Sequence, residues 1–283
     1  MTSMLEVSDI PALRHWRDEQ RRAGRRVALV PTMGSLHEGH LALVDEARRR
    51  ADSVVLSVFV NPLQFGPDED FARYPRNLER DRGLAAGRGV DLFFAPATDA
   101  LVPAGAEIRV IAGETAERWE GSARPGHFTG VLTIVAKLFH LVEPEVACFG
   151  QKDIQQATLI RRMTRDLNWS VELAIVPIVR EADGLAMSSR NVYLSPTERT
   201  NALSLSHGLR AARDAWQGGE RSAAVLKRIV QSSLRAAAGV RAEYIAVVEP
   251  EKLRPVSVAA AGTILAVAAR VGTTRLIDNV ILA

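Results

Sequence analysis

Apolar runs bounded by turn residues recur along the 283-residue chain at 27–30, 54–60, 90–94, 146–149 and 171–179. Helical patterns fall between most of them, at 41–50, 78–87, 131–141 and 154–167. Strands alternating with helices predict a parallel sheet with helices on both faces. The run Ser53-Val54-Val55-Leu56-Ser57-Val58-Phe59-Val60 is apolar at nearly every position, as in a strand covered on both sides. Near 180–191 the pattern changes. Two alanine-rich helical stretches follow, about 196–216 and 222–238, separated by Gly218-Gly219, and strand patterns close the chain at 242–248, 263–270 and 274–281. The expected architecture is α/β: a doubly wound parallel sheet in residues 1–182 and a smaller α+β domain in 183–283. In such a sheet ligands gather beyond the carboxyl ends of the strands.

Composition narrows the class. With 47% hydrophobic and 24% charged residues the chain reads as a soluble globular protein. Its net charge of +3 is small, and its densest basic cluster, Arg21-Arg22-Ala23-Gly24-Arg25-Arg26, reads as a solvated helix end and turn. A nucleic-acid surface would want more basic and aromatic residues alongside, so no nucleic-acid partner is expected. The single cysteine, Cys148, excludes an intramolecular disulfide framework, and its apolar neighbours mark it as a core thiol. Neither a signal-peptide pattern nor a run of membrane-span length is present. A cytoplasmic protein without membrane partners is the expectation.

The chemistry begins at Pro31-Thr32-Met33-Gly34-Ser35-Leu36-His37-Glu38-Gly39-His40, which joins the first apolar run to an amphipathic stretch. A strand, a glycine-bearing turn and a helix start are expected there. A helix start has unpaired N–H groups and a partial positive charge, which together suit a phosphate. His37 and His40, three apart, would share one face of the first turn. Two other readings stand beside this one: a metal-binding pair, and a capped turn with incidental histidines. The metalloprotease pattern needs His-Glu-x-x-His, and this segment is one residue short.

Four further clusters lie near expected strand or helix ends. Asn61-Pro62-Leu63-Gln64-Phe65-Gly66 offers amides that both donate and accept, suited to a ligand with a hydroxyl and a carboxylate; a polar turn is the alternative. Gly150-Gln151-Lys152-Asp153-Ile154-Gln155-Gln156 supplies a movable cation for phosphate, with Asp153 able to pair with it or with a ribose. Asp183-Gly184-Leu185-Ala186-Met187-Ser188-Ser189-Arg190-Asn191 could clamp a polyphosphate or be an interdomain loop. Arg124-Pro125-Gly126-His127-Phe128-Thr129-Gly130 puts an arginine and a histidine at a helix entrance, or simply caps it.

The first segment resembles the HxGH motif of nucleotidylyltransferases and class I aminoacyl-tRNA synthetases. All five clusters in this order, with the closing Gly272-Thr273-Thr274-Arg275-Leu276-Ile277-Asp278-Asn279, resemble the pantoate–β-alanine ligase family over nearly the whole chain. That family usually has Glu where this chain has Gln151, an exchange that removes a charge and keeps an acceptor. The resemblance implies a Rossmann-like fold and a two-step reaction: D-pantoate and ATP give pantoyl adenylate and pyrophosphate, then β-alanine displaces AMP to give pantothenate. It implies Mg²⁺ held mainly by the ATP phosphates, with its protein ligands unassigned, and a homodimer. It implies an ATP site of Met33, Gly34, Ser35, Leu36, His37, Glu38, Gly39 and His40, completed by Gly150, Gln151, Lys152, Asp153, Val179, Met187, Ser188, Ser189 and Arg190. His40, as proton donor, His37 and Lys152 would be catalytic. Gln64 would bind pantoate and β-alanine, Gln156 pantoate, and Asn61 and His127 would line the substrate pocket. The competing expectations are an adenylyltransferase for another small acid or phosphate, a non-catalytic nucleotide-binding module and a class I tRNA synthetase. An adenylyltransferase with a phosphorylated partner would need a further phosphate pocket, the binding module has no use for Gln64, Gln156 and Lys152 together, and the synthetase lacks room for tRNA recognition after Asn191.

Overall fold

A computed structural model describes residues 4–67 and 69–283. From β1 (Leu5–Val7) and α1 (Ile10–Arg22) the chain alternates through β2 (Val27–Thr32), α2 (Glu38–Arg50), β3 (Ser53–Val58), α3 (Leu78–Gly87) and β4 (Leu92–Phe94). Two single turns, α4 (Thr98–Leu101) and α5 (Glu120–Ala123), precede α6 (His127–Val142), β5 (Val146–Gly150), α7 (Ile154–Asp166) and β6 (Glu172–Val176). The remainder is α8 (Pro196–Gln217), α9 (Ala223–Arg235), β7 (Val240–Val248), β8 (Ile264–Val271) and β9 (Thr274–Ile281). Two compact units result: Met1–Gly113, Arg124–Gly150 and Leu159–Pro177 form the first, and Glu114–Ala123, Gln151–Thr158 and Ile178–Ala283 the second.

The first unit is built on a six-stranded parallel sheet in the order β1-β4-β3-β2-β5-β6. Val27 to Val30 of β2 and Val54 to Leu56 of β3 are wholly buried, so the apolar runs are central strands covered on both faces. Each such Val or Leu contributes about 1.5–3 kcal/mol relative to exposure. α6 is buried along most of its length, and Gly126, at φ +82°, turns the chain into it. Cys148 lies fully buried on β5, where desolvation pushes its thiol up to about 12. The strand order reverses between β2 and β5, and ligand crevices of open parallel sheets lie beyond the carboxyl ends at such a switch point.

β1 and the body of α1 were not expected from the pattern. β1 has only three residues on the sheet edge, two of them exposed. α1 buries Leu13, Trp16, Arg17 and Gln20, a helical stripe half polar in composition. The Arg17 guanidinium donates to the carbonyls of Val142 and Glu143 and to the Glu145 carboxylate, which is how a buried arginine is tolerated. β6 ends at Val176, before the expected 179, because Pro177 has no N–H to continue the ladder.

The second unit packs α8 and α9 on the antiparallel sheet β7-β8-β9. Leu205 and Leu209 of α8, Leu226 and Val230 of α9, and Leu265 and Val267 of β8 share its core. A capping box starts α8: Ser195 Oγ accepts from the Glu198 amide, and the Glu198 carboxylate accepts from the Ser195 amide. Gln155, on the first turn of α7, donates to the carbonyls of Thr115 and Arg118 and accepts from the Glu120 amide. The Glu120 carboxylate in turn receives both terminal nitrogens of Arg275 on β9, at 2.6 and 2.8 Å. These bonds join residues 114–123 and 151–158 to the C-terminal sheet.

Candidate active site

In the first unit the turn after β2 is held by partners distant in sequence. Thr32 Oγ1 donates to the Ser57 carbonyl and accepts from the Gly34 amide. Gly34 has φ +80°, and a Cβ there would meet Val58 Cγ1 at 2.9 Å and Asp81 Oδ2 at 3.0 Å. Only glycine combines that backbone angle with so close an approach. The buried Asp81 carboxylate of α3 accepts from the amides of Ser35 and Leu36, both at 2.8 Å, and Arg80 Nη1 donates to the Leu36 carbonyl. Neither Asp81 nor Arg80 was marked by the sequence motifs, since nothing local ties them to residues more than forty positions earlier.

His37 is the N-cap of α2, and its Nδ1 accepts from the Gly39 amide at 3.1 Å. That bond leaves Nε2 as the protonated nitrogen of a neutral His37 ring. The His37 and His40 rings stack with centroids 4.1 Å apart, so the two imidazoles do share one side of the helix start. The amides of His40 and Leu41 both donate to the His37 carbonyl. The amides of Gly34, Ser35, Leu36, Gly39, His40 and Leu41 are therefore engaged inside the protein. Beyond those amides, this helix start presents imidazole side chains and the field of its dipole to an anion.

The second feature of this unit is the Pro62–Gln64 turn after β3. Asn61, 1% exposed, caps it by accepting from the Leu63 amide and donates through Nδ2 to Gln64 Oε1 at 3.0 Å and to the Gly130 carbonyl at 3.1 Å. Gln64 Nε2 lies 2.9 Å from Met33 Sδ. The Gln64 carbonyl accepts from His127 Nδ1 at 2.9 Å, while Arg124 donates to His127 Nε2 at 3.0 Å. Arg124 is itself held by a two-pronged bond to the Glu69 carboxylate, at 2.7 and 2.6 Å. An arginine on one ring nitrogen and a carbonyl on the other assign His127 as the neutral Nδ1–H tautomer. Asn61 and His127 thus direct their polar atoms at the backbone and side chain of Gln64.

In the second unit, Gln151, Lys152 and Asp153 form a one-turn 3-10 helix directly after β5. Lys152 is half-buried, and desolvation pulls its ammonium below the ordinary lysine range, with Asp153 opposing the fall and Arg190 adding to it. Gln156 is half-buried on the first turn of α7. Residues 179–187 fold back as a short hairpin in which the Val179 carbonyl accepts from the Met187 amide at 3.0 Å. Ser188 caps the following 3-10 turn, Ser189–Tyr193, by accepting from the Arg190 amide at 3.3 Å. The structure therefore gathers Met33, His37, His40, Asn61, Gln64 and His127 in one unit, and Gln151, Lys152, Gln156, Val179 and Met187 to Arg190 in the other.

A family model described as pantoate-beta-alanine ligase matches residues 6–281. The pantothenate synthetase of Moorella thermoacetica is 52% identical over 276 residues, 98% of each chain. That of Anaeromyxobacter dehalogenans is 54% identical over 266 residues, 92% of each. The crystal structure of pantothenate synthetase from Thermus thermophilus aligns with a TM-score of 0.93 at 52% identity, covering 99% of both chains. The pantoate-beta-alanine ligase of Francisella tularensis, solved with beta-gamma ATP and beta-alanine, aligns with a TM-score of 0.81 at 30% identity, covering 99% of this chain and 98% of that one. Full-length agreement in sequence and fold places the chain in the pantoate–β-alanine ligase family.

Proposed function

We propose that the chain is an ATP-dependent ligase that condenses D-pantoate with β-alanine. A carboxylate is a poor electrophile, so the pantoate carboxylate first attacks the α-phosphorus of ATP and pyrophosphate leaves. The β-alanine amine then attacks the acyl carbon of pantoyl adenylate, loses a proton and expels AMP. The observation that carries this reading is the match along residues 6–281 to a family with a member solved with ATP-like and β-alanine ligands.

The proposed roles follow from the chemistry of each group. His37 and His40 serve the phosphates, with His40 giving a proton or hydrogen bond to the leaving oxygen. Lys152 and Arg190 stabilise charge that grows as pyrophosphate departs. Gly150 to Asp153, Val179 and Met187 to Arg190 complete the nucleotide site. Gln64 and Gln156 take the acids, and Asn61 and His127 fix how Gln64 is presented. Mg²⁺ is assigned to the ATP phosphates: among the described residues no three His, Cys, Asp or Glu side chains converge, and Mg²⁺ commonly binds through substrate phosphates. When bound it would offset phosphate charge. A homodimer in the cytoplasm completes the reading by family resemblance; no described helix is long and apolar enough to cross a membrane.

Labelled pyrophosphate should exchange into ATP with pantoate alone, without β-alanine. Exchange that requires β-alanine, or that proceeds without pantoate, removes the adenylate step. A finer test is Gln64→Ala, which should raise the KM of pantoate and β-alanine while leaving ATP binding nearly intact. Each contact left unpaired should cost about 1–3 kcal/mol. Steady-state kinetics with each substrate varied in turn measures this, and an equal loss for ATP would misplace the acid pocket.

A further inference from the structure

The Asp278-Asn279 pair near the end of β9 holds two segments of the second unit at once. Successive strand residues face opposite sides of a sheet. Both side chains are almost wholly buried, 3% and 2% exposed. Asn279 Nδ2 donates to the carbonyls of Gln151 at 2.9 Å and Lys152 at 3.0 Å, and its Oδ1 accepts from Gln151 Nε2 at 3.1 Å. Asp278 receives the Arg180 guanidinium in two bonds, 2.7 and 2.9 Å, and accepts from the Asn279 amide at 2.7 Å. Arg180 also donates to the Gly184 carbonyl at 3.1 Å, inside the hairpin that leads to Met187 and Arg190.

We propose that Asn279 and Asp278 are positioning residues: Asn279 sets where the Lys152 turn stands, and Asp278 ties the 179–190 hairpin to the same strand end. This rests on the reading that Lys152 and the hairpin serve ATP. Lysine carries a point charge on a flexible stem, so the reach of its ammonium depends on where its backbone is anchored. Two adjacent carbonyls of one turn each need a donor and the Gln151 amide needs an acceptor; a side-chain amide, with two N–H donors and one oxygen, meets all three demands at once. Aspartate at 279 has nearly the same size but would face the two carbonyls with an acceptor. Asn279→Asp therefore separates the hydrogen bonding from the packing. The same bonds explain what glutamine does at 151, since a glutamate there could not donate to Asn279 Oδ1.

The test uses the full chain and both half-reactions. Pantoate-dependent pyrophosphate exchange is measured for the wild type, Lys152→Ala, Asn279→Asp, Asn279→Ala and the double variant Lys152→Ala/Asn279→Ala. Displacing the lysine by about 1 Å should lower the exchange rate of either Asn279 variant about 10²-fold. Amide formation from supplied pantoyl adenylate and β-alanine should stay within about threefold, which also shows that the variants fold. Because Asn279 acts through Lys152, the double variant should exchange within about threefold of Lys152→Ala alone. Asp278→Asn should raise the KM of ATP about tenfold, roughly 1.4 kcal/mol, by loosening the hairpin. Full-rate exchange by Asn279→Asp, equal loss of both half-reactions, or multiplied losses in the double variant overturns the Asn279 role. An unchanged KM in Asp278→Asn overturns the Asp278 role. Normal exchange by Lys152→Ala overturns the reading of Lys152 and the anchoring of it together.

Discussion

Lys152→Ala and His40→Ala are each expected to slow pantoyl adenylate formation by about 10²–10³-fold, the range for losing one preorganised charge-stabilising group. The effect should fall on turnover more than on KM, because negative charge on the bridging oxygen grows only as the bond to the α-phosphorus breaks. Lys152 suits this role since its ammonium is already partly stripped of water, and a desolvated cation interacts more strongly with new charge. His40 is fixed by its stack on His37, whose own Nδ1 is committed to the Gly39 amide. The second half-reaction releases no pyrophosphate. Supplied pantoyl adenylate should therefore be converted to the amide at near-normal rate by both variants. Equal loss of both half-reactions in folded protein would show that these residues shape the whole site and do not act on the departing phosphate.

Gly130→Ala should be nearly as damaging to the use of pantoate, for a different reason. A Cβ at 130 would lie 2.2 Å from the Leu63 carbonyl oxygen and 2.6 Å from the Gln64 nitrogen. The clash is with backbone on both sides, so no rotamer change relieves it, and α6 or the Pro62–Gln64 turn must move. The move also strains the bond from Asn61 to the Gly130 carbonyl. Overpacking of this kind costs about 1–3 kcal/mol of stability. A displacement of Gln64 near 1 Å should lower kcat/KM for pantoate about 10²-fold. The KM of ATP should barely change. Gly83→Ala in α3 is the matched control, since nothing lies within 4 Å of a Cβ there and its activity should be wild-type. Urea unfolding and pantoate kinetics on both variants decide the matter; normal pantoate use by folded Gly130→Ala would separate the turn from the acid pocket.

The parts of this fold that were legible in the sequence are those whose residues face apolar surroundings on a regular period. β2, β3 and β5 show as runs apolar at nearly every position because helices cover both faces, and 274–281 matched β9 in full. The basic end of α1 was visible at Arg21 and Arg22, but its inward face was hidden because Arg17 and Gln20 occupy positions where an amphipathic stripe would carry leucines. The change of period near 180–191 falls just after the chain enters the second unit at Ile178. The attachment of 114–123 and 151–158 to the second unit was not visible, because it depends on single long-range bonds such as Glu120 to Arg275. The site divides the same way. Histidines, glutamines and a lysine at strand ends mark the proposed site by residue type. Asp81, Glu69 and Asn279 act through partners 45 to 128 positions away, and no local spacing encodes that.

The internal commitment of the Gly34, Ser35, Leu36, Gly39, His40 and Leu41 amides bears on how the gene can drift. A cradle of backbone N–H groups is indifferent to most codon changes, since every residue but proline carries the same donor. Here those donors are spent on Thr32, on the Asp81 carboxylate of α3 and on His37, and under the proposed roles the phosphates are met largely by side chains. Single missense changes at those side chains can then silence the enzyme and leave its fold intact. At Gly34 the order is reversed, because there a substitution attacks the loop before it reaches any chemistry.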